Sequence, residues 1–521
     1  LKRFFSRRDL WIALLAFAGA AAYVVGAASL GEAGFPLDDA WIHQTYARNL
    51  AQTGQWAFVP GQPSAGSTSP LYTLLLSIGY LLNVPYLAWT TFLGGAALAA
   101  GGVIAARLAE YLAPEIRGVG LWAGLATVGA WHLVWAAASG METMLFAALT
   151  LVLVALAWRE IAPLSAGDEG DRIPSAAVAR RGIVLGLVGA AATLTRPEGA
   201  GLVGLIGLAM WLANPSRSRR ALLIWSAGVA AGWIVGIAPY ALLNYHMSGG
   251  FLPNTAAAKQ AENTPLLEVA YPARVINLLV PLIAGGQLAL VPGVIAAGVV
   301  AIRRWRQDRA AALLLVPLAW AAALIGLYAA RLPAPYQHGR YVIPALPPLI
   351  LFSVVGTALI WQWGKGSVGR RIASRTLAIT GVALFVAFWG IGWQQYGRDV
   401  QIIQSEMVVT ARWLRDNIDP DQLLAVHDIG AVGYFAPRPI LDLAGLVSPE
   451  VIPIIRDADA LWALMQQRGV RYLMALPDQI PGQNPGDPRL CPVFSSGGRW
   501  SPAAGGANMV VYALAWNGRC P

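Results

Sequence analysis

Residues 34–69 read GFPLDDAWIHQTYARNLAQTGQWAFVPGQPSAGSTS, and how this stretch is read decides the rest of the chain. Two adjacent acids, Asp38 and Asp39, open a run in which Ile42, Tyr46 and Leu50 recur every fourth residue, the spacing of one helix face. A Gly/Ser/Thr-rich segment follows. Apolar blocks of about 20 residues lie on either side, the length that crosses a hydrocarbon core. With 57% hydrophobic and 12% charged residues in 521, the composition excludes an ordinary soluble chain. A polar stretch this concentrated between membrane spans is expected at the water–lipid boundary, its apolar stripe lying on the membrane.

Spans are expected near 10–31, 86–108, 118–138, 142–161, 182–196, 198–213, 221–245, 284–302, 310–330, 341–363 and 376–396. The first follows LKRFFSRRDL without a small-x-small cleavage site, so it reads as a retained span. The apolar run 69–82 is short for a crossing, and charge decides its course. If it stays outside and the N-terminus is cytoplasmic, the inner connections carry 21 Lys and Arg, Lys2, Arg3, Arg172 and Arg217 among them. The outer connections before the tail then carry six: Arg48, Arg196, Lys259, Arg274, Arg331 and Arg340. A crossing would reverse that bias. The positive-inside rule therefore gives eleven spans, with 69–82 along the outer interface. The same loops account for the net charge of +10, so no nucleic-acid partner is implied.

Composition changes at about residue 397. Two units follow: a transmembrane module, 1–396, with its outer loop at 32–85, and an extracytoplasmic α/β domain, 397–521. In the tail a helix is expected at 403–417, strands at 423–428, 440–445, 471–476 and 509–514, a helix near 458–468, and loop over the Pro/Gly-rich 477–507. Cys491 and Cys520, the two cysteines of the chain, both lie there and are expected to form a disulfide.

Several polar residues share the outer side. Asp38 could cap the helix that follows, but a cap needs one acid, and a second beside it costs repulsion and desolvation. A carboxylate here could instead take the proton of an attacking hydroxyl. Glu142, at the start of a span, either complements the helix dipole or faces the same compartment as a second acid. Arg196, Lys259, His338 and Arg340 would each snorkel if taken singly; together they hold most of the outer positive charge and suit a phosphate, Arg340 with His338 first among them. Asp38, Asp39 and Glu142 could hold a divalent cation, the one cofactor these residues suggest. His427, Asp428 and Asp442 in the tail fit turns as well as a site. Trp41 and Trp56 are candidate sugar platforms. No Gly-rich phosphate loop, CxxC pair or nucleophilic-serine motif is present.

LDDAWIHQTYARNLAQTGQWAFVPGQPSAGSTSPLYTLLLS resembles the first outer loop of bacterial GT-C glycosyltransferases, nearest the arabinofuranosyltransferase branch. SGMET (139–143), TRPEG (195–199), LPNTAAAK (252–259), RYVIPALPP (340–348) and HDIGAVGYFAPRPILDLAGLVSPE (427–450) resemble that branch too. The resemblance implies a polytopic α-helical membrane protein of the bacterial cytoplasmic membrane. It implies inverting transfer of a sugar from a polyprenyl-phosphate donor to a glycan, glycolipid or protein acceptor outside. On this reading Asp38 is the base, with Asp39 supporting and Glu142 as the second acid. His338, Arg340, Lys259, Arg196 and Tyr341 hold the donor phosphate, while Arg48, Asn49 and Trp41 support loop and acceptor. His43-Gln44-Thr45 departs from the small hydroxyl residues common in relatives. A flippase for lipid-linked sugars, a non-catalytic glycan-binding protein and a ligase using a diphosphate donor are the rival readings.

Overall fold

Ser6 starts the first helix in the computed structural model: its hydroxyl accepts the Asp9 N–H, and the Asp9 carboxylate accepts the Ser6 N–H, a reciprocal capping box. The structure describes residues 6–161, 174–215, 218–251 and 255–520. Lys2, Arg3, Arg172, Arg217 and residues 252–254 of the LPNTAAAK motif lie outside the described residues.

Among the described residues eighteen α-helices run to residue 417, and helix stands at each expected span. They are α1 (Arg7–Leu30), α2 (Asp39–Thr53), α3 (Pro70–Leu81), α4 (Tyr86–Leu112), α5 (Val119–Gly129), α6 (Trp131–Ala138), α7 (Thr143–Trp158), α8 (Ser175–Thr195) and α9 (Gly199–Ala213). Then come α10 (Arg219–Ser248), α11 (Thr255–Glu262), α12 (Tyr271–Ile283), α13 (Val291–Gln307), α14 (Val316–Arg331), the four-residue turn α15 (Tyr336–Gly339), α16 (Leu346–Trp363), α17 (Val368–Ile403) and α18 (Val409–Asn417). Among the described residues, eight helices are long and apolar enough to cross a membrane, or nine if α5 and α6, bent by 54°, form one span. The eleven expected crossings exceed that number because α7 and α9 hold only 16 and 15 residues. Trp11, Leu212, Val235 and Val386 point outward and bare, as lipid-facing side chains do. α3 has 12 residues, about 18 Å at 1.5 Å each, short of a core roughly 30 Å thick.

Two expectations change in the outer segments. The loop expected over 246–283 contains α11 and the amphipathic α12. The helix expected at 403–417 is not separate: helix runs unbroken over Val368–Asn417, 50 residues, through a π-turn at Gln404–Val408. At about 75 Å it outreaches any bilayer, so the junction near 397 is a rigid rod rather than a linker.

The tail beyond that rod is a five-stranded mixed sheet in the order β4-β3-β5-β7-β6; the hairpin of β1 (Ala57–Val59) and β2 (Gln62–Pro63) precedes it in the chain. β3 (Leu424–Val426) pairs in parallel with β4 (Ile440–Asp442) and β5 (Tyr472–Ala475); β7 (Val510–Leu514) is antiparallel to β5 and to β6 (Leu490–Ser495). Three further helices, α19 (Gly430–Phe435), α20 (Ala458–Gln467) and the four-residue α21 (Trp500–Ala503), accompany it. β6 lies inside the stretch expected to be loop. Its Pro492 argues against a central strand, yet an edge strand tolerates proline. Cys491 on β6 is joined to Cys520, Cα–Cα 5.7 Å.

Candidate active site

The site grows from α2. This helix ends at Gly54, whose left-handed backbone (φ 69°) directs its N–H to the Leu50 carbonyl. Its residues from Ala40 to Ala47 are all buried. The apolar stripe therefore does not lie on the membrane, contrary to expectation. It packs into protein: the Tyr46 hydroxyl pairs with Ser64 Oγ (2.6 Å) and accepts the Gly66 N–H (3.1 Å), and Trp41 is enclosed by Phe35, Tyr86, Tyr434 and Phe435. Trp41 and Trp56 are thus core side chains, not exposed platforms.

Asp38 and Asp39 face different neighbours. Asp38 does not cap its own helix. Its carboxylate accepts the N–H of Gly430 (2.6 Å) and of Ala431 (2.8 Å), at the start of α19. Arg48, from the same α2, donates to the Tyr434 carbonyl (2.7 Å) and the Gly433 carbonyl (3.1 Å) at the other end of α19. Carboxyl oxygens at the N-terminus and a guanidinium at the C-terminus thus meet the unpaired N–H and C=O groups of the helix ends. The approach is so close that a Cβ on Gly430 would lie 2.0 Å from the Asp38 carbonyl oxygen. Burial, then the charge of Asp428, pushes the Asp38 carboxyl up to about 8 against those N–H bonds. Asn49 binds the carbonyls of Ala57 (2.9 Å) and Phe58 (3.0 Å), holding β1 to α2.

Asp39 instead lines a cavity of about 650 Å³, together with His43, Glu142, Arg196, Glu198, Lys259, Arg340 and Tyr341. Arg340 Nη2 donates to Asp39 Oδ2 (2.5 Å) and to the Tyr341 hydroxyl (3.0 Å), and the guanidinium lies over the Tyr341 ring. Its Nε and Nη1 are buried without a protein acceptor. Burial alone would raise the Asp39 carboxyl; Arg340 and Lys259 outweigh it and hold the group far below the usual carboxylate range. Lys259, on α11, pairs with Glu262 (3.3 Å).

The remaining expected residues divide. His338 is absent from the cavity wall: its Nε2 meets Asp399 Oδ2 (2.8 Å), which also accepts the Trp135 indole N–H (2.9 Å). Gln337 and His338 adopt positive φ (53° and 59°), so the turn presents His338 and Arg340 to different partners. Arg196 lines the cavity but is engaged, donating to the Tyr328 hydroxyl (2.6 Å) with Glu198 and Glu142 at 3.6 and 3.9 Å. Glu142 meets His43 Nε2 at 3.4 Å. In the tail, His427 bridges Glu262 (3.3 Å) and Asp428 (3.2 Å). Asp442 accepts the N–H of Ala444 and Val447, the turn reading. Sequence reasoning did not single out Glu198, Tyr328 or Glu262. Position 198 carried a signal, lying in the quoted TRPEG motif beside Arg196, and His43 carried another, one turn along α2 from Asp39.

The three acids proposed for a cation do not converge. Asp38 faces backbone N–H groups, Asp39 faces Arg340, and Glu142 faces His43 and Arg196. Among the described residues no group of three His, Cys, Asp or Glu is placed to hold a metal ion.

Comparison with known proteins bears on the fold. A family model described as a domain of unknown function, DUF8728, matches residues 391–512. No curated protein matches. Among solved structures the chain is similar to ArnT from Cupriavidus metallidurans, 14% identical with a TM-score of 0.57 over 99% of this chain and 100% of that one. It is similar to the oligosaccharyltransferase of Archaeoglobus fulgidus, 12% identical with a TM-score of 0.61 over 97% and 74%. The arabinofuranosyltransferase AftD from Mycobacteria aligns at 18% identity and a TM-score of 0.48, over 99% of this chain and 40% of that one.

Proposed function

We propose that this chain, which has the GT-C fold, is an inverting glycosyltransferase that uses a polyprenyl-phosphate sugar. The acceptor is a hydroxyl of an envelope glycan, lipid or protein on the outer side of the bacterial cytoplasmic membrane. The observation that carries the reading is one cavity holding both halves of the chemistry: a carboxylate, Asp39, and a guanidinium, Arg340, with two unpaired buried nitrogens. Unpaired buried donors are costly unless a ligand completes them. A phosphate oxygen is the acceptor that fits a guanidinium fork. ArnT has been solved bound to undecaprenyl phosphate, and the archaeal enzyme tethered with an acceptor peptide. Both facts favour the same class of reaction here. The sequence resemblance favours the arabinofuranosyltransferase branch.

In this mechanism Asp39, not Asp38, is the base. It stays ionised and accepts the proton of the acceptor hydroxyl as that oxygen attacks the anomeric carbon; the bond to the phosphate oxygen breaks, and its electron pair leaves with the lipid phosphate. Arg340 and Lys259 stabilise that departing charge. Their field weakens Asp39 as a base while the cavity is empty. An arriving phosphate offsets the field and raises its basicity, so the base strengthens when the donor is bound. Asp38 and Arg48 are positioning residues that bind α19 to α2. His338 holds the 336–341 turn to α17 and does not touch phosphate.

A flippase would carry its charges buried at mid-span; here they cluster at helix ends beside the tail, which favours transfer. The test is to incubate membranes bearing the wild-type chain or Asp39→Ala with a panel of polyprenyl-phosphate sugars and to analyse the products. Transfer by wild type and none by the variant is expected. Equal transfer by both would remove Asp39 as base.

A further inference from the structure

The cavity has a second charged end that the phosphate chemistry leaves unused. Glu142 stands at the N-cap of α7 and Glu198 at the N-cap of α9, yet neither side chain caps its helix. Both turn to the cavity wall instead, where His43 joins them. Glu142 Oε2 and Glu198 Oε2 have ion-pair neighbours, His43 at 3.4 Å and Arg196 at 3.6 Å, but neither accepts a hydrogen bond. His43 Nδ1 has no partner at all. His43 and Glu142 are 4% and 8% exposed, so water in bulk does not satisfy them.

We infer that His43, Glu142 and Glu198 form a hydroxyl-reading subsite for the sugar ring carried by the donor, an assignment that rests on the transferase reading above. The charge excludes the other ligands. Two carboxylates against one guanidinium repel a phosphate. A cation is disfavoured because Arg196 lies within 3.9 Å of one carboxylate and 3.6 Å of the other. A neutral polyol meets neither objection and supplies the O–H donors that three acceptor atoms lack. With the His43 proton on Nε2, the nitrogen that faces Glu142 at 3.4 Å, Nδ1 is left as an acceptor. Position along α2 sets the scale. His43 lies four residues from Asp39, on the same helix face and one turn away, about 5.4 Å. That is comparable with the width of one sugar ring, so a ring whose phosphate lies on Arg340 brings its hydroxyls to His43.

Glu198→Gln and His43→Phe test this beside wild type, with two probes: sugar-free polyprenyl phosphate, and polyprenyl-phosphate sugars with and without single deoxy substitutions. Both variants are expected to bind the sugar-free lipid phosphate as wild type does. Their kcat/KM for the full donor is expected to fall about 10- to 100-fold, as for lost hydrogen bonds to charged groups. Wild type is expected to discriminate against one deoxy donor, and Glu198→Gln to lose that discrimination. Equal loss of the sugar-free lipid would make these residues phosphate-binding or structural and overturn the inference, as would unchanged discrimination. Binding of free methyl glycosides, read by calorimetry, separates this claim from the transferase reading. If wild type transfers nothing but binds glycosides in a Glu198-dependent way, the subsite stands and the reaction does not. If wild type binds no glycoside and reads no hydroxyl, the subsite falls. Binding of Mn²⁺ or Ca²⁺ that depends on Glu142 and Glu198 would also overturn it.

Discussion

On the cavity face of α2, Asp39 pairs with a side-chain cation and borders open space; on the tail face, Asp38 is enclosed by the backbone N–H groups of α19. Neighbouring residues on a helix point about 100° apart, so one dipeptide serves two elements. The environments differ in kind. Asp39 keeps its charge because Arg340 and Lys259 stand beside it, and a ligand can alter that balance. Asp38 is held by the backbone N–H groups of Gly430 and Ala431 and does not line the cavity. On the proposed mechanism, identical side chains in adjacent positions thus divide into a reactive group and a structural one according to what the fold sets against them.

The largest effect is expected at the reactive acid. Asp39→Ala should lower transfer by about 10²- to 10⁴-fold, the range for a lost general base, while amide exchange at 430–435 stays as in wild type. A greater loss from Asp38→Ala would invert the comparison. Arg340→Lys keeps the charge and loses the fork, and should cost about 10²- to 10³-fold in kcat, as for a lost oxyanion donor. Asp38→Ala should act on the other face. It strands two buried N–H groups, at about 1–3 kcal/mol each, and should be seen as faster amide exchange at Gly430 and Ala431 and a lower Tm. Arg48→Ala should weaken the opposite end of α19 by about 1 kcal/mol, coupled to Asp38 in a double-mutant cycle.

The smallest effect is a pH dependence of tail anchoring. Burial alone would lower His427, but its bonds to Asp428 and Glu262 prevail and push it up to about 10 from an ordinary 6.5. A group raised in the folded state stabilises fully below its unfolded value, and that share is lost as pH rises through 10. Glu262 and Asp428 are held below their ordinary values, so their share is present above those values and lost on acidification. Protection at the 427–431 amides, corrected for the intrinsic pH dependence of exchange, should therefore be greatest between the ordinary values of the two acids and that of His427. His427→Gln should remove the alkaline limb and shrink the acid one, because His427 is the first partner that lowers both acids.

Much of the tail could be read directly. The strands at 424–426, 440–442, 472–475 and 510–514 fall inside their expected ranges, since short apolar runs between turn residues carry their own signal. β6 did not, because proline in a strand is acceptable only when one edge is unpaired, and edge position is a property of the assembled sheet. At the site, the sequence favoured Asp38 as base with Asp39 in support, and Arg340 with His338 for the phosphate; of these only Asp39 and Arg340 line the cavity. Within each pair the residue type suits the chemistry equally well, and only the direction of the side chain differs.

What the sequence determined by itself was the membrane-embedded helical architecture, the sheet-bearing tail and the polar stretch where chemistry gathers. Those follow from hydropathy, periodicity and charge bias, which are local and additive along the chain. Which acid faces the cavity, where α19 docks and how His43 meets the helix-start Glu142 were decided only by tertiary packing. Those contacts join residues about 100 to 390 positions apart, as His43 to Glu142 and Asp38 to Gly430 do, on the order of distances that no local pattern spans. The dielectric and the partners that set a carboxylate's role exist only once those segments have met.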